Sequence, residues 1–212
     1  MAHRESFVKV CGITTQQDAD LCAELGADLI GFIFDKNSPR SVTVEQVRAI
    51  ETENIMRVGV FTHHTVDEVR LTMQHAKLHL AQLHGDQDAE FAEKIGKHRV
   101  MKVFWPARYE TREELEADMQ HYVATSRFFL MDAGTSGGGH GKPQNWSFLS
   151  GLRGHKTWFV AGGITPDNLK DVLMGCTPCG IDISSGVESE PGKKDPEKLR
   201  AVMEVLSAPI LR

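Results

Sequence analysis

Cysteine is sparse in this sequence. Only Cys11, Cys22, Cys176 and Cys179 occur among 212 residues, which is too few for the disulfide framework of a secreted scaffold. Long apolar runs are absent as well. No segment approaches the ~20 apolar residues of a membrane span, and the opening stretch MAHRESFVKVCG has no apolar run long enough for a signal peptide. Charge of one sign is not concentrated anywhere. The 24 Lys and Arg against 29 Asp and Glu give a formal charge of −5, with the basic residues scattered. That excludes the footprint of a nucleic-acid binder. The ten histidines have no zinc spacing, so no metal site is expected. What is left is an ordinary globular composition, 41% hydrophobic and 25% charged. The expectation is one cytoplasmic, reduced domain over residues 1–212, with neither membrane nor nucleic acid as a partner.

What is present is alternation. Eight short apolar runs recur: FVKVCGI from Phe7, ADLIGFIF from Ala27, IMRVGVFT from Ile55, HLAQLHG from His79, RVMKVFWP from Arg99, RFFLMDA from Arg127, TWFVAGGI from Thr157 and GIDISSG from Gly180. Stretches of helical periodicity lie between them, among them QQDADLCAELG, TVEQVRAIE, TVDEVRLTMQHA, DAEFAEKIG and TREELEADMQHYV. Thr43 and Thr65 read as N-caps, Gly26 and Gly96 as C′ glycines, and Pro166 as a first-turn proline. Strand alternating with helix implies a parallel sheet. Eight units point to an α/β fold, a (β/α)8 TIM barrel. An open doubly wound sheet usually has fewer strands and a glycine fingerprint after its first, and VCGITT is not that fingerprint.

Side chains alternate between the two faces of a strand. Lys9 and Cys11 share a face opposite Val8 and Val10, and Arg57, Gln82, Lys102, Asp132 and Asp182 interrupt later strands similarly. Such groups are hard to place against outer helices, so the expectation puts them inside the barrel, paired with one another.

Barrel enzymes carry their chemistry at the carboxyl ends of the strands. Cys11, His84, Asp132 and Ser184 stand at such exits and are chemically able, with Arg40 in the second loop. A free thiol ionises near pH 8.5 and acts as a base only in cationic surroundings, which Lys9 is placed to supply. A thiolate opposed to a protonated Asp132 carboxyl makes an acid/base pair. Three adjacent exits are rich in glycine: GTSGGGHGK (134–142), AGGIT (161–165) and SSG (184–186). Glycines admit backbone N–H groups close to an anion, and barrels bind phosphate after strands seven and eight. Cys176 and Cys179 in CTPC have redox spacing but lie away from the mouth and outside a thioredoxin-like context, so they read as structural. ESEPGKKD (188–195) reads as a charged, turn-rich connection.

From KVCGIT, GADLIGFIFDKNSPRSV, VGVF, QLHGD, LMDAG with GGGHGK, VAGGITPDN and GIDISSGVESEPGKKD, in order and nearly end to end, the sequence resembles the phosphoribosylanthranilate isomerases of tryptophan biosynthesis. The resemblance implies a (β/α)8 enzyme without metal or organic cofactor, acting on a small phosphosugar by an Amadori rearrangement. It implies Asp132 as general acid, Cys11 as general base, and Arg40 holding the anthranilate carboxylate, with His84 and Asp182 lining the site. The phosphate falls to Gly138, Gly139, Gly141, Gly162, Gly163, Ser184, Ser185 and Gly186. One departure is His140, in the sixth loop, where the family usually has a hydroxyl residue. A monomer is expected, with a homodimer as the alternative. Two rivals remain. One is a bifunctional isomerase that also serves histidine synthesis; such enzymes resemble longer chains with aspartate at the first exit. The other is a catalytically silent phosphate-binding sensor, against which the retention of both Cys11 and Asp132 argues.

Overall fold

The computed structural model describes residues 6–134, 146–152 and 156–207. Eight parallel strands close into a barrel in chain order, with the last hydrogen-bonded back to the first. They are β1 (Phe7–Cys11), β2 (Leu29–Ile33), β3 (Met56–Phe61), β4 (Leu80–Leu83), β5 (Val100–Phe104), β6 (Phe128–Asp132), β7 (Trp158–Ala161) and β8 (Gly180–Ile183). Around them run α1 (Gln16–Glu24), α2 (Val44–Ala49), α3 (Val66–His75), α4 (Ala89–Ile95), α5 (Arg112–Tyr122), α6 (Leu169–Cys176) and α7 (Pro196–Ser207). Between β6 and β7 the described residues form a 3-10 turn over Trp146–Leu149. After β8 the chain makes a two-stranded antiparallel hairpin, β9 (Glu188–Glu190) and β10 (Lys193–Lys194).

The helices begin where their first orphan N–H groups find side-chain acceptors. Thr43, Thr65 and Thr111 each form a capping box, with Gln46, Glu68 and Glu114 reaching back to the cap N–H. Each cap contributes about 1 kcal/mol. Gly26 and Gly96 have positive φ at the ends of α1 and α4, as expected of terminating glycines. Pro166 differs from the expectation. It lies in a turn before α6, whose cap is Asn168.

Two apolar layers follow from strand parity. Val8, Val10, Ile30, Phe32, Leu83, Phe104, Phe129 and Val160 face the helices, within the larger core. Leu29, Val58, Leu80, Met101, Val103, Leu130 and Phe159 pack inside the barrel. The interior is thereby filled, and a site has room only at the mouth.

The expected set of interior polar residues needs correction. Lys9, Gln82, Asp132 and Asp182 do face inward, but Arg57 and Lys102 alternate with interior Met56, Val58, Met101 and Val103 and point to the helices. The Arg57 guanidinium donates to the carbonyls of Val47, Ile50 and Ala76 at the carboxyl ends of α2 and α3, and lies over the Phe32 ring at 5.0 Å. Lys102 donates to the carbonyls of Gly85 and Gln87, with its ammonium 4.9 Å from the Tyr122 ring centroid. Open carbonyls accept from both cations but carry no net charge, so burial still lowers Arg57 and brings Lys102 down to about 8.

Candidate active site

The described residues leave a cavity of about 240 Å³ at the carboxyl-end mouth, lined by Cys11, Arg40, Gln82, His84, Asp132 and Asp182, by the apolar Ile33, Val60 and Leu130, and by the loops after β7 and β8. Strand register builds its floor. Lys9 pairs with Asp182 across β1 and β8, and Asp182 is level with Ala161, which is level with Asp132. One small side chain therefore separates two carboxylates at the same height. Lys9 is fully buried, and its ammonium donates to Asp182 Oδ2 at 2.8 Å. Burial works against the Lys9 charge, but Asp182 and the adjacent Cys11 thiol outweigh it and hold the amine above its usual range. Among the described residues, Asp182 Oδ1 and Gln82 Oε1 are buried in the cavity wall without a hydrogen-bond partner.

Cys11 comes to the mouth as the last residue of β1. Its sulfur fits because Gly31 stands beside it on β2. A Cβ on Gly31 would lie 2.7 Å from Cys11 Sγ and 3.1 Å from Lys9 Nζ. Burial pushes the thiol up, and Lys9 and Lys194 pull it back without cancelling the effect. Lys9 is therefore the cationic neighbour expected, but burial outweighs it, because the Lys9 charge is shared with Asp182.

Asp132 ends β6. Its Oδ1 accepts from Gly134 N–H at 2.9 Å, and its Oδ2 lies 3.3 Å from His84 Nε2. Burial raises this carboxyl, but His84, the Gly134 amide and Lys9 together hold it below the usual carboxylate range. That environment favours the ionised form of Asp132. His84 Nδ1 is 3.1 Å from Gln82 Nε2. If that amide donates, the imidazole proton sits on Nε2, facing the Asp132 carboxylate.

Arg40 lines the cavity but is not free. Its Nε donates to Glu188 Oε1 and Oε2 at 2.8 and 3.0 Å, and Nη2 to Oε2 at 2.7 Å. Gly162 and Gly163, at φ +102 and +64, and Ser184, Ser185 and Gly186 line the side of the cavity built by β7 and β8. A Cβ on Gly186 would fall on the carbonyl of Ile164, so only glycine lets the two loops touch. Gly138, Gly139, His140 and Gly141 lie outside the described residues. Cys176 and Cys179 stand at the opposite end of the barrel, at the entry to β8, as free thiols.

Residues 188–195 are more than the charged, turn-rich connection expected. The hairpin folds back over the mouth, and Glu188 and Lys194 are buried. Lys194 donates to Glu188 Oε1 at 2.8 Å and to the Cys11 carbonyl at 2.7 Å. Thr14 Oγ1 donates to the Gly192 carbonyl at 2.7 Å. The signal was in the sequence. Pro-Gly between two charged arms is a hairpin turn, but nothing local marks which charges turn inward.

A filled parallel barrel with a thiol, two carboxylates and an imidazole at its mouth defines a (β/α)8 enzyme with an acid/base site. The model of a family described as N-(5′-phosphoribosyl)anthranilate (PRA) isomerase matches residues 8–205, and the chain belongs to that family. An N-(5′-phosphoribosyl)anthranilate isomerase of Maridesulfovibrio salexigens is 43% identical over 195 residues, 92% of this chain and 95% of the relative. The solved phosphoribosyl anthranilate isomerase of Thermus thermophilus is 36% identical, with a TM-score of 0.79 covering 95% of this chain and 98% of that one. A further solved isomerase, 28% identical with a TM-score of 0.78 over 94% of this chain and 97% of that one, is in complex with reduced 1-(o-carboxyphenylamino)-1-deoxyribulose 5-phosphate.

Proposed function

We propose that this protein converts N-(5′-phosphoribosyl)anthranilate to 1-(2-carboxyphenylamino)-1-deoxyribulose 5-phosphate, an Amadori rearrangement of tryptophan biosynthesis. The observation that carries the reading is the pairing of a buried thiol at the β1 exit with a carboxyl at the β6 exit in one cavity. The reaction needs an acid and a base placed on different atoms of one sugar, and these two groups reach from different strands.

The substrate ring rests against Ile33, Val60 and Leu130, with its carboxylate at Arg40. Its phosphate takes backbone N–H groups of the loops after β7 and β8, at Gly162, Gly163, Ser184, Ser185 and Gly186. Seating this anion excludes water from Asp132 and adds negative charge beside it. Both effects raise the carboxyl pKa and load it with a proton. Asp132 then protonates the furanose ring oxygen as the C1′–O4′ bond breaks, the nitrogen lone pair forming the iminium. The cationic iminium and Lys9 together favour loss of the Cys11 thiol proton to water, and the thiolate then takes the C2′ proton as the electrons of that bond move to the nitrogen. The enolamine gains a proton at C1′ and loses one from the C2′ hydroxyl to become the ketone. The orphan acceptors Asp182 Oδ1 and Gln82 Oε1 suit the hydroxyl donors of an opened sugar. The free cysteines suit a reducing, cytoplasmic setting.

The test is loss of phosphoribosylanthranilate fluorescence on addition of enzyme. Wild type is expected to turn it over, and Cys11→Ser and Asp132→Asn each to lower kcat by roughly 10²–10⁴. Near-wild-type turnover in a variant removes that residue from its role. No turnover by folded wild type removes the reading.

A further inference from the structure

The structure ties the proposed carboxylate anchor to a residue that no step of the rearrangement uses. Arg40 has five N–H donors. Glu188 takes the Nε–H and one Nη2–H, which is the side edge of the guanidinium. Among the described residues nothing accepts from the end edge, Nη1 with the remaining Nη2–H, which can take another bidentate acceptor. Glu188 is itself fixed. Its side chain is 4% exposed, Lys194 donates to its Oε1 at 2.8 Å, and Lys198 donates to its backbone carbonyl at 2.7 Å.

From this geometry we infer that Glu188 is a positioning residue for the substrate carboxylate: it grips Arg40 by the side edge and thereby presents the end edge to the cavity. The inference rests on the proposed function, in which Arg40 receives the anthranilate carboxylate. Without Glu188 the guanidinium would rotate about its long stem, and each bound substrate would have to order it afresh. Lys194 completes the arrangement by compensating Glu188, so that the carboxylate does not itself draw Arg40 out of the mouth.

The experiment compares two probes by calorimetry on the full-length enzyme. One is reduced 1-(o-carboxyphenylamino)-1-deoxyribulose 5-phosphate, and the other is its counterpart without the ring carboxylate. Glu188→Gln is expected to weaken the first about tenfold and the second less than twofold, as loss of an ordered bidentate contact requires. In kinetics the same variant should raise KM about tenfold and leave kcat within about threefold. Glu188→Asp keeps the charge beside Lys194 while shortening the reach, and serves should the glutamine variant not fold; it should give the same selective loss at about threefold. Equal weakening of both probes, or of neither, overturns the inference. Arg40→Ala separates this from the underlying reading. If it fails to discriminate between the probes, the carboxylate is not held by Arg40, and the assignment of Arg40 falls with the inference.

Discussion

Replacing Lys9 with methionine isolates the electrostatics of the barrel floor. Methionine keeps most of the aliphatic stem, so the variant deletes a charge and little volume. In wild type the ammonium is 2.8 Å from Asp182 Oδ2, with the two side chains 0% and 6% exposed. Removing one partner of so buried a pair leaves an uncompensated charge and costs roughly 3–5 kcal/mol. That is a large part of a typical stability of about 5–15 kcal/mol. The cost must depend on pH. In the variant only the weaker His84 interaction remains against the burial that pushes the Asp182 carboxyl up, whereas the unfolded carboxyl ionises near 3.9. A carboxyl whose folded pKa is raised contributes stability below its unfolded pKa and loses it as pH rises through the folded one. The destabilisation relative to wild type should therefore be small near pH 4 and grow as pH rises to 7.5. Urea unfolding, followed by circular dichroism at both pH values, measures this difference. Adding Asp182→Asn should recover at least about 1.5 kcal/mol at pH 7.5, because a neutral amide replaces the stranded charge. A cost below about 1 kcal/mol at pH 7.5, or a double variant no more stable than the single one, would falsify the view that this pair is an obligate unit.

Two further outcomes follow from neighbouring features. Gly31→Ala places a methyl 2.7 Å from the Cys11 sulfur. It should lower kcat about tenfold while the protein still folds, since small displacements of a reacting group carry large rate effects; unchanged kcat would show that the thiol can move without loss. Cys22 and Cys176 are pushed by burial to about 12. Unfolded thiols ionise near 8.5–9, so the folded protein loses stability as pH climbs from about 9 towards 12. At pH 10.5 the loss is about 2 kcal/mol per thiol, from 1.36 kcal/mol per pKa unit. Thermal melts between pH 8 and 10.5 should show a shallower decline in Cys22→Ala and Cys176→Ala, and an unaltered slope would count against it.

Much of the fold was legible because each element announces itself locally. The eight apolar runs and the N-cap threonines Thr43 and Thr65 are short-range signals, and both appear in the structure where the sequence places them. Side-chain direction was harder. Arg57 and Lys102 read like Lys9 and Asp182 because each breaks an apolar run. Which face a charge takes depends on register and on distant carbonyls, as at Val47 and Ala76. At the site the chemistry-bearing residues were readable from their strand exits, whereas their ionisation was not. Asp132 is held down by His84 from β4's exit and Cys11 is held up by burial. Glu188 and Lys194 were hidden in a charged stretch that looks solvated until the hairpin is seen to fold inward.

The seam between β1 and β8 also sets an order of events during synthesis. Lys9 and Asp182 are 173 residues apart, and Lys194 reaches the Cys11 carbonyl across 183. A nascent chain emerging from the ribosome carries the lysine and the thiol of its first strand long before their partners exist. Until β8 and the hairpin have been made, that lysine lacks the carboxylate to which it donates in the folded barrel. Barrel closure and assembly of the mouth are then the same late event, and a chain shortened into β8 or the hairpin loses the groups that hold the lysine and the thiol of its first strand.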